Sequence, residues 1–299
     1  MTRNVIIDTD PGIDDAIAIL FALSVKGLTV RGITTVAGNI GLSNTTRNAL
    51  RILALADRSD IAVYPGADKP LTRPGISEEK IHGTDGLGGV TFPDPQSAAQ
   101  DGDAVTYLAA ALNAAQERTL DILALGPLTN IARLIQTDPD AARRIGRLIA
   151  MGGAIDEPGN VGPRAEFNIA NDPEAAEIVL QSGLPITLIP LDVTRQVRAD
   201  RAYLDRLAAL GTPKASTARA LIEAYFASTT GGESRPLHDP CVPVFALRPD
   251  LFGCERTGLS VNTDEADRGA LTRADSHPID VTMTVDAPVA LDLLARALG

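Results

Sequence analysis

The chain has no tryptophan, only three histidines and two cysteines among its 299 residues, and aromatic side chains make up just 3% of it. Each scarcity excludes something. Cys241 and Cys254 are too few for a disulfide scaffold and neither belongs to a C-x-x-C pair, so they read as reduced, mostly buried thiols. No apolar run approaches the roughly 18 residues a membrane span needs. The first residues lack the basic stretch, apolar core and small-residue cleavage site of a secretory signal, which makes a cytoplasmic protein the default expectation. Basic residues are also scarce: 27 Lys and Arg stand against 38 Asp and Glu, a formal net charge of −11. A chain this acidic lacks the positive footprint that nucleic acid or an anionic membrane requires, and both are set aside as partners.

What is present is ordinary for a globular protein: 44% hydrophobic and 22% charged residues, in a length that can bury a large core. The apolar segment 4–8 (NVIID) reads as a strand, 16–25 (AIAILFALSV) as a buried helix, 28–39 as a strand and 42–56 as a helix. The rhythm returns with a helix at 104–116, a strand at 120–126, a helix at 128–136 and a strand at 147–153. A helix at 171–183, with Pro173 in its first turn and Gly183 as terminator, leads to a strand at 185–190. Strand and helix alternating at this spacing predict an α/β fold: one domain over residues 1–299, an open, mostly parallel Rossmann-like sheet flanked by helices. After residue 250 the runs GCERTGLSV, GALTRAD and IDVTMTV predict a few antiparallel strands before a closing helix. Two stretches break the pattern, 66–95 and 228–240, both rich in Gly, Pro and charge, and long loops of this kind are usually functional or disordered.

In open parallel sheets, ligands bind at the carboxyl ends of the strands. Those ends carry Asp8, Asp10, Asp14 and Asp15 after the first strand and Gly38-Asn39 after the second. Leu125-Gly126, Met151-Gly152-Gly153 and Asp192 follow the later ones, and the loop 159–168 adds Asn160, Glu166 and Asn168. The aspartate cluster is the sharpest signal. Two carboxylates about 4 Å apart repel by roughly 4 kcal/mol at an effective dielectric near 20, and no lysine or arginine lies among these four. A helix cap accounts for one or two of them; a divalent cation accounts for the set. Hard oxygen donors without Cys or His select Ca²⁺ or Mg²⁺ over zinc. Of the histidines, His82 and His238 lie in the two irregular stretches and read as functional groups able to protonate a leaving group. His277 reads as an exposed turn residue.

The segments DTDPGIDDA, AGN (37–39), HGTDGLGG (82–89), GPLTNIA (126–132), MGG (151–153), GNVGPRAEFNIANDPEAA (159–176) and LHDP (237–240) together resemble the nucleoside hydrolase family, the inosine-uridine preferring nucleoside N-ribohydrolases. The resemblance runs in order over residues 8 to 240. It implies a Ca²⁺ ion held by Asp10, Asp15, the main-chain carbonyl of Leu125 and Asp239, with Asp10 also the general base. It implies ribose binding by Asp14, Asn39, Asn160, Glu166, Asn168 and Asp239, with the Met151 chain beneath the sugar. His238 and His82 would face the leaving base, with Phe167 and Tyr225 as base-side or packing residues. A Thr, Gln and Tyr set at four-residue spacing marks pyrimidine-preferring members; the matching positions here are Ile222, Phe226 and Thr230. The implied partner is a small-molecule nucleoside, and the implied assembly a homodimer or homotetramer.

Two rival readings have less support. VIIDTD resembles the start of a haloacid dehalogenase-type phosphotransferase, but the later lysine and acidic pair of that family have no convincing counterpart. A binding protein that holds a nucleoside without cleaving it would not need both Asp10 and His238. A hydrolase acting on a modified nucleoside or another N-riboside keeps the same machinery and differs only on the base side.

Overall fold

Residues Arg3–Thr9 form β1, and its Val5, Ile6 and Ile7 are buried on both faces of the sheet. That double burial is why the segment reads as a continuous apolar run and not as an alternating one. The computed structural model describes residues 2–228 and 234–299. Alongside β1 lie β2 (Leu28–Thr35), β3 (Val63–Pro65), β4 (Leu120–Ala124), β5 (Leu148–Met151) and β6 (Ile186–Ile189). A short ribbon pairs β7 (Arg198–Asp200) with β8 (Ser234–Pro236), and the chain ends with β9 (Phe252–Val261), β10 (Leu271–Val285) and the helix Ala287–Ala297.

The main sheet has eight strands in the order β3-β2-β1-β4-β5-β6-β10-β9. Every neighbouring pair is parallel except β9 with β10, which closes one edge antiparallel. The helices Ile13–Ser24 and Leu42–Leu55 connect β1, β2 and β3. On the other side of β1, Ala104–Ala114, Thr129–Thr137 and Pro173–Leu180 lead through β4, β5 and β6. One apolar cluster packs Val5 and Ile7 against Ile17, Phe21, Leu221 and Val242; the other packs Ile6 and Ile122 against Leu108, Ile131 and Val179. The strand order reverses at β1 and β4. Such a switch point opens a crevice at the carboxyl ends of the two strands, and Asp10 and Leu125 stand there.

The structure departs from the sequence reading at several places. The span 171–183 is not one helix: Phe167–Asn171 is a short helix of its own, and Asp172 caps Pro173–Leu180 by accepting from the Ala175 N–H. The stretch 66–95 contains the turn of helix Glu79–His82, and 228–240 contains β8. Thr230 lies outside the described residues. GALTRAD and IDVTMTV are parts of one strand, β10, interrupted by a register break between Ala274 and Ile279 that carries the exposed His277. Cys241 is buried as expected, but Cys254 is exposed, because it sits on β9 at the sheet's edge. Among the described residues no helix is long and apolar enough to cross a membrane.

Candidate active site

The turn after β1 feeds directly into the helix Ile13–Ser24, which places Asp10, Asp14 and Asp15 at one rim. Asp15 is fixed from three sides. Its Oδ1 accepts from the Thr9 hydroxyl at 2.5 Å, and its Oδ2 accepts from the Gly12 N–H at 3.0 Å and from Asn39 Nδ2 at 3.1 Å. Asn39 also donates to the Asp10 carbonyl, and its own N–H donates to Asp10 Oδ2 at 2.7 Å. Asp10 Oδ1, although buried, has no hydrogen-bond partner. Two glycines make room for that carboxylate: a Cβ on Gly38 would stand 2.0 Å from Oδ2, and one on Gly126 would stand 2.2 Å from Oδ1.

Asp239 reaches the same rim from the turn after β8. Carboxylate oxygens of Asp14, Asp15 and Asp239 lie within 4.8 Å of one another. The resemblance assigns Asp14 to a sugar; the structure also places it in this carboxylate group. No described Lys or Arg forms an ion pair with Asp10, Asp14, Asp15 or Asp239. Burial raises the pKa of all four, and repulsion from neighbouring carboxylates adds to this for Asp10, Asp15 and Asp239; Asp10 and Asp239 are pushed well above the usual carboxylate range. An orphaned buried oxygen, a glycine-lined cradle and hard oxygen donors without a basic partner among the described residues fit a divalent cation. The implied carbonyl ligand belongs to Leu125, which borders the cleft at this site. It accepts from Asn168 Nδ2 at 2.7 Å, which leaves one of its two lone pairs available.

Asp8 has a different task. Its Oδ1 accepts from Thr34 Oγ1 at 2.5 Å and from Asn130 Nδ2 at 2.8 Å. Asn130 donates in turn to the Thr35 carbonyl and accepts from the Ala67 N–H. This buried knot ties the ends of β1 and β2 to the root of the 66–95 loop. Burial lifts the Asp8 carboxyl to about 6.

A cleft of about 530 Å³, open solvent included, lies over the carboxylates. Asp14, Asn39, His82, Leu125, Met151, Asn160, Glu166, Phe167, Asn168, Tyr225, His238 and Asp239 all line it. Of the acidic residues named at the strand ends, Asp8, Asp10, Asp15 and Asp192 do not border this space; Asp192 instead braces a loop, accepting from the Ile155, Asp156 and Glu157 N–H groups. Glu166 accepts from the Gly153 N–H at 3.0 Å and the Ile169 N–H at 3.3 Å, and burial raises it to about 7. Asn160 Oδ1 accepts from the Phe167 N–H at 2.9 Å, which braces the loop that carries both. Asn168 Nδ2 also donates to the Met151 carbonyl and sulfur.

The two histidines differ in their bonding. His82 Nδ1 accepts from the Ile13 N–H at 3.0 Å, so this ring satisfies a donor at the start of the aspartate-bearing helix. Burial pulls it down to about 4. His238 Nδ1 is 2.7 Å from the Thr194 hydroxyl, and burial with nearby Arg195 and Arg198 lowers it to about 3. In both rings Nε2 is the nitrogen not engaged in these bonds. Thr194 carried no sequence signal: it lies in the short helix Leu191–Thr194, and only the fold brings it to His238. Glu78 and Ile81 also line the cavity and were not singled out, since the loop gave no sign of its one helical turn.

The chain matches the family model described as inosine-uridine preferring nucleoside hydrolase over residues 5–292. A pyrimidine-specific ribonucleoside hydrolase, RihA, of Enterobacter sp. (strain 638) is 38% identical over 310 residues, covering 100% of this chain and 98% of that protein. Two solved structures superpose with a TM-score of 0.93. One is a plant nucleoside hydrolase, PpNRh1, at 34% identity, covering 100% of this chain and 99% of the other. The second is a purine-preferring ribonucleoside hydrolase from Gardnerella vaginalis at 29% identity, covering 99% and 98%.

Proposed function

The chain belongs to the inosine-uridine preferring nucleoside hydrolase family and is a ribonucleoside N-ribohydrolase; from that premise we propose a Ca²⁺-dependent mechanism whose residues can be assigned. The observation that carries the proposal is the orphaned Oδ1 of Asp10, buried among carboxylates that no basic side chain neutralises. Asp10, Asp15, Asp239 and the Leu125 carbonyl would hold the ion, with Asp14 beside them. Bound there, Ca²⁺ supplies Lewis acidity toward a water and an anchor for the vicinal hydroxyls of ribose.

The remaining work belongs to the protein. Breaking an N-glycosidic bond builds positive charge on the sugar in an oxocarbenium-like transition state. Asp14, Glu166, Asn168 and Asn160 line the space that would take the ribose; backbone N–H groups fix the oxygens of Glu166 and Asn160, and the Asn168 amide is held by the Leu125 and Met151 carbonyls, so the set stabilises that charge with little reorganising. Asp10 Oδ1 takes a proton from the attacking water, and the hydroxide oxygen bonds to the anomeric carbon. The bonding pair of the C–N bond leaves with the base, which gains a proton. His238 is the better placed of the two histidines to serve the base, since Thr194 sets its ring and Nε2 remains for the substrate; its ring is neutral at pH 7, so the proton the base gains comes from solvent and passes through His238 as the C–N bond breaks. His82 holds the turn.

Two outcomes test these assignments. Gly126→Ala puts a methyl group where Asp10 Oδ1 sits, and a displacement of about 1 Å at a reacting group can cost roughly 10²-fold. We expect kcat/KM to fall by about that factor while the circular dichroism spectrum stays native; unchanged kinetics would mean that the cradle is not required. His238→Ala should cost roughly 10²–10⁴-fold where the departing base must be protonated and less where it leaves as a stable anion. Equal losses on inosine, adenosine, uridine and cytidine would remove His238 from the acid role.

A further inference from the structure

At the end of the sheet opposite the cavity, strands are entered from arginines. Arg3 opens β1, Arg118 stands two residues before β4, and Arg147 immediately precedes β5. Between the entrances to β4, β5 and β6 and the broken register of β10 lies a groove of about 960 Å³ that includes open solvent; its lining includes Arg118, Arg147, Arg256, His277 and Gly183.

Three backbone irregularities converge on this groove. Arg118 is one of two non-glycine residues with a left-handed backbone among the described residues, with φ of 59°. Its conformation is held by an N–H bond to the Arg144 carbonyl and by close packing at Gly146, where a Cβ would stand 2.8 Å from the Arg118 carbonyl oxygen. Gly183, also left-handed at φ 72°, faces the imidazole of His277. The register break in β10 carries His277 itself, and bulges of this kind re-aim a side chain. Backbone strain gathers where the surrounding structure has a use for it.

The charges point to what that use is. Arg147 is paired with the buried Asp121, which Arg3 also contacts, and Arg256 is paired with Asp280 at 3.2 Å. Arg118 has no hydrogen bond or ion pair from its side chain to any described residue. The groove itself is lined by three guanidinium groups, Arg118, Arg147 and Arg256, and one carboxylate, Asp280, in a protein whose net charge is −11. We propose that this groove binds a small phosphate dianion, inorganic phosphate or a phosphomonoester, between Arg118 and Arg256 with His277 at its edge. Guanidinium forks match phosphate oxygens in pairs, and a dianion supplies the charge the groove lacks. The site lies at the amino ends of the strands and the cavity at their carboxyl ends, so both can be filled at once.

The chain's three histidines make the test direct. Full-length protein freed of divalent cations is titrated at fixed pH and ionic strength with inorganic phosphate and, separately, with a nucleoside 5′-monophosphate. The imidazole signals are followed by NMR, with His277→Asn assigning that ring. The proposal expects the His277 signal to move saturably while those of His82 and His238 stay. It expects Arg118→Ser to weaken the apparent affinity by about 10-fold or more, the loss of one charge-assisted contact. Tighter binding of the monoester than of inorganic phosphate would name the ester as the ligand. An unmoved His277 signal, a linear unsaturable drift, joint movement with His82 and His238, or full affinity in Arg118→Ser would each overturn it.

Discussion

Asp10→Asn should lower kcat by about 10³-fold or more on every nucleoside the protein cleaves. The amide keeps the shape of the carboxylate and can still accept the Asn39 N–H, which now meets Asp10 Oδ2 at 2.7 Å. It cannot take a proton from water at neutral pH, and it replaces a charged oxygen donor with a neutral group. General-base catalysis alone contributes roughly 10²–10⁴-fold, and weakened cation binding adds to that loss. The same substitution removes a buried charge that desolvation and Asp15 both oppose. In chelator, the variant should therefore melt no lower than the wild-type protein. A variant inactive because it melts well below wild type would make Asp10 a structural residue; one that keeps full kcat would remove it from the reaction.

The second large effect is on stability. Ca²⁺ at about 100 times its dissociation constant stabilises a protein that binds it only when folded by roughly 2.7 kcal/mol. At roughly 2–4 °C per kcal/mol for a chain somewhat smaller than this one, that is a rise of about 5–10 °C in melting temperature. The chelated protein should also depend on pH in a set direction. Burial holds Asp8 near 6 and Glu166 near 7, above the ordinary values of 3.8 and 4.5. The folded chain then binds these protons more tightly than the unfolded one. Their contribution is complete below the unfolded values and is lost as pH rises through about 6 and about 7. His82 and His238, held down at about 4 and about 3, act oppositely and add stability as pH climbs toward their ordinary 6.5, so calorimetry in chelator should show the melting temperature falling only above that, between about pH 6.5 and about pH 8. A flat or rising profile would mean that these carboxyls are ionised in the folded protein throughout, and no shift on adding Ca²⁺ would mean that the cluster does not bind it.

The parts of this fold that were legible were those with one physical cause. β1, β4, β5 and β6 are buried on both faces, so each appears as an unbroken apolar run, and the glycines and prolines around them mark the turns. Asp10, Asp14 and Asp15 stood out because like charges rarely gather without a counterion. What escaped reading depends on contacts distant in sequence. β3 has only three residues, one of them proline, and exists because Tyr64 and its neighbours pair with β2. β7 is charged and half exposed, and is a strand only because β8 lies beside it. Thr194 matters through a ring 44 residues away. The glycine at 126 looks like an ordinary strand terminator until Asp10 is found 2.2 Å from where its side chain would begin. Cys254 was misjudged because cysteine's general preference for burial says nothing about which strand becomes the edge.

One measurement bears most directly on the account. Inosine, adenosine, guanosine, uridine and cytidine are each incubated with the protein in excess Ca²⁺, after thorough chelation, and after Ca²⁺ is restored, and free ribose and free base are quantified. The account predicts that at least one nucleoside is split into equal amounts of ribose and base, that chelation abolishes this, and that restored Ca²⁺ recovers it. Undiminished cleavage in the chelated protein would contradict the cation-dependent site built on Asp10, Asp15 and Asp239.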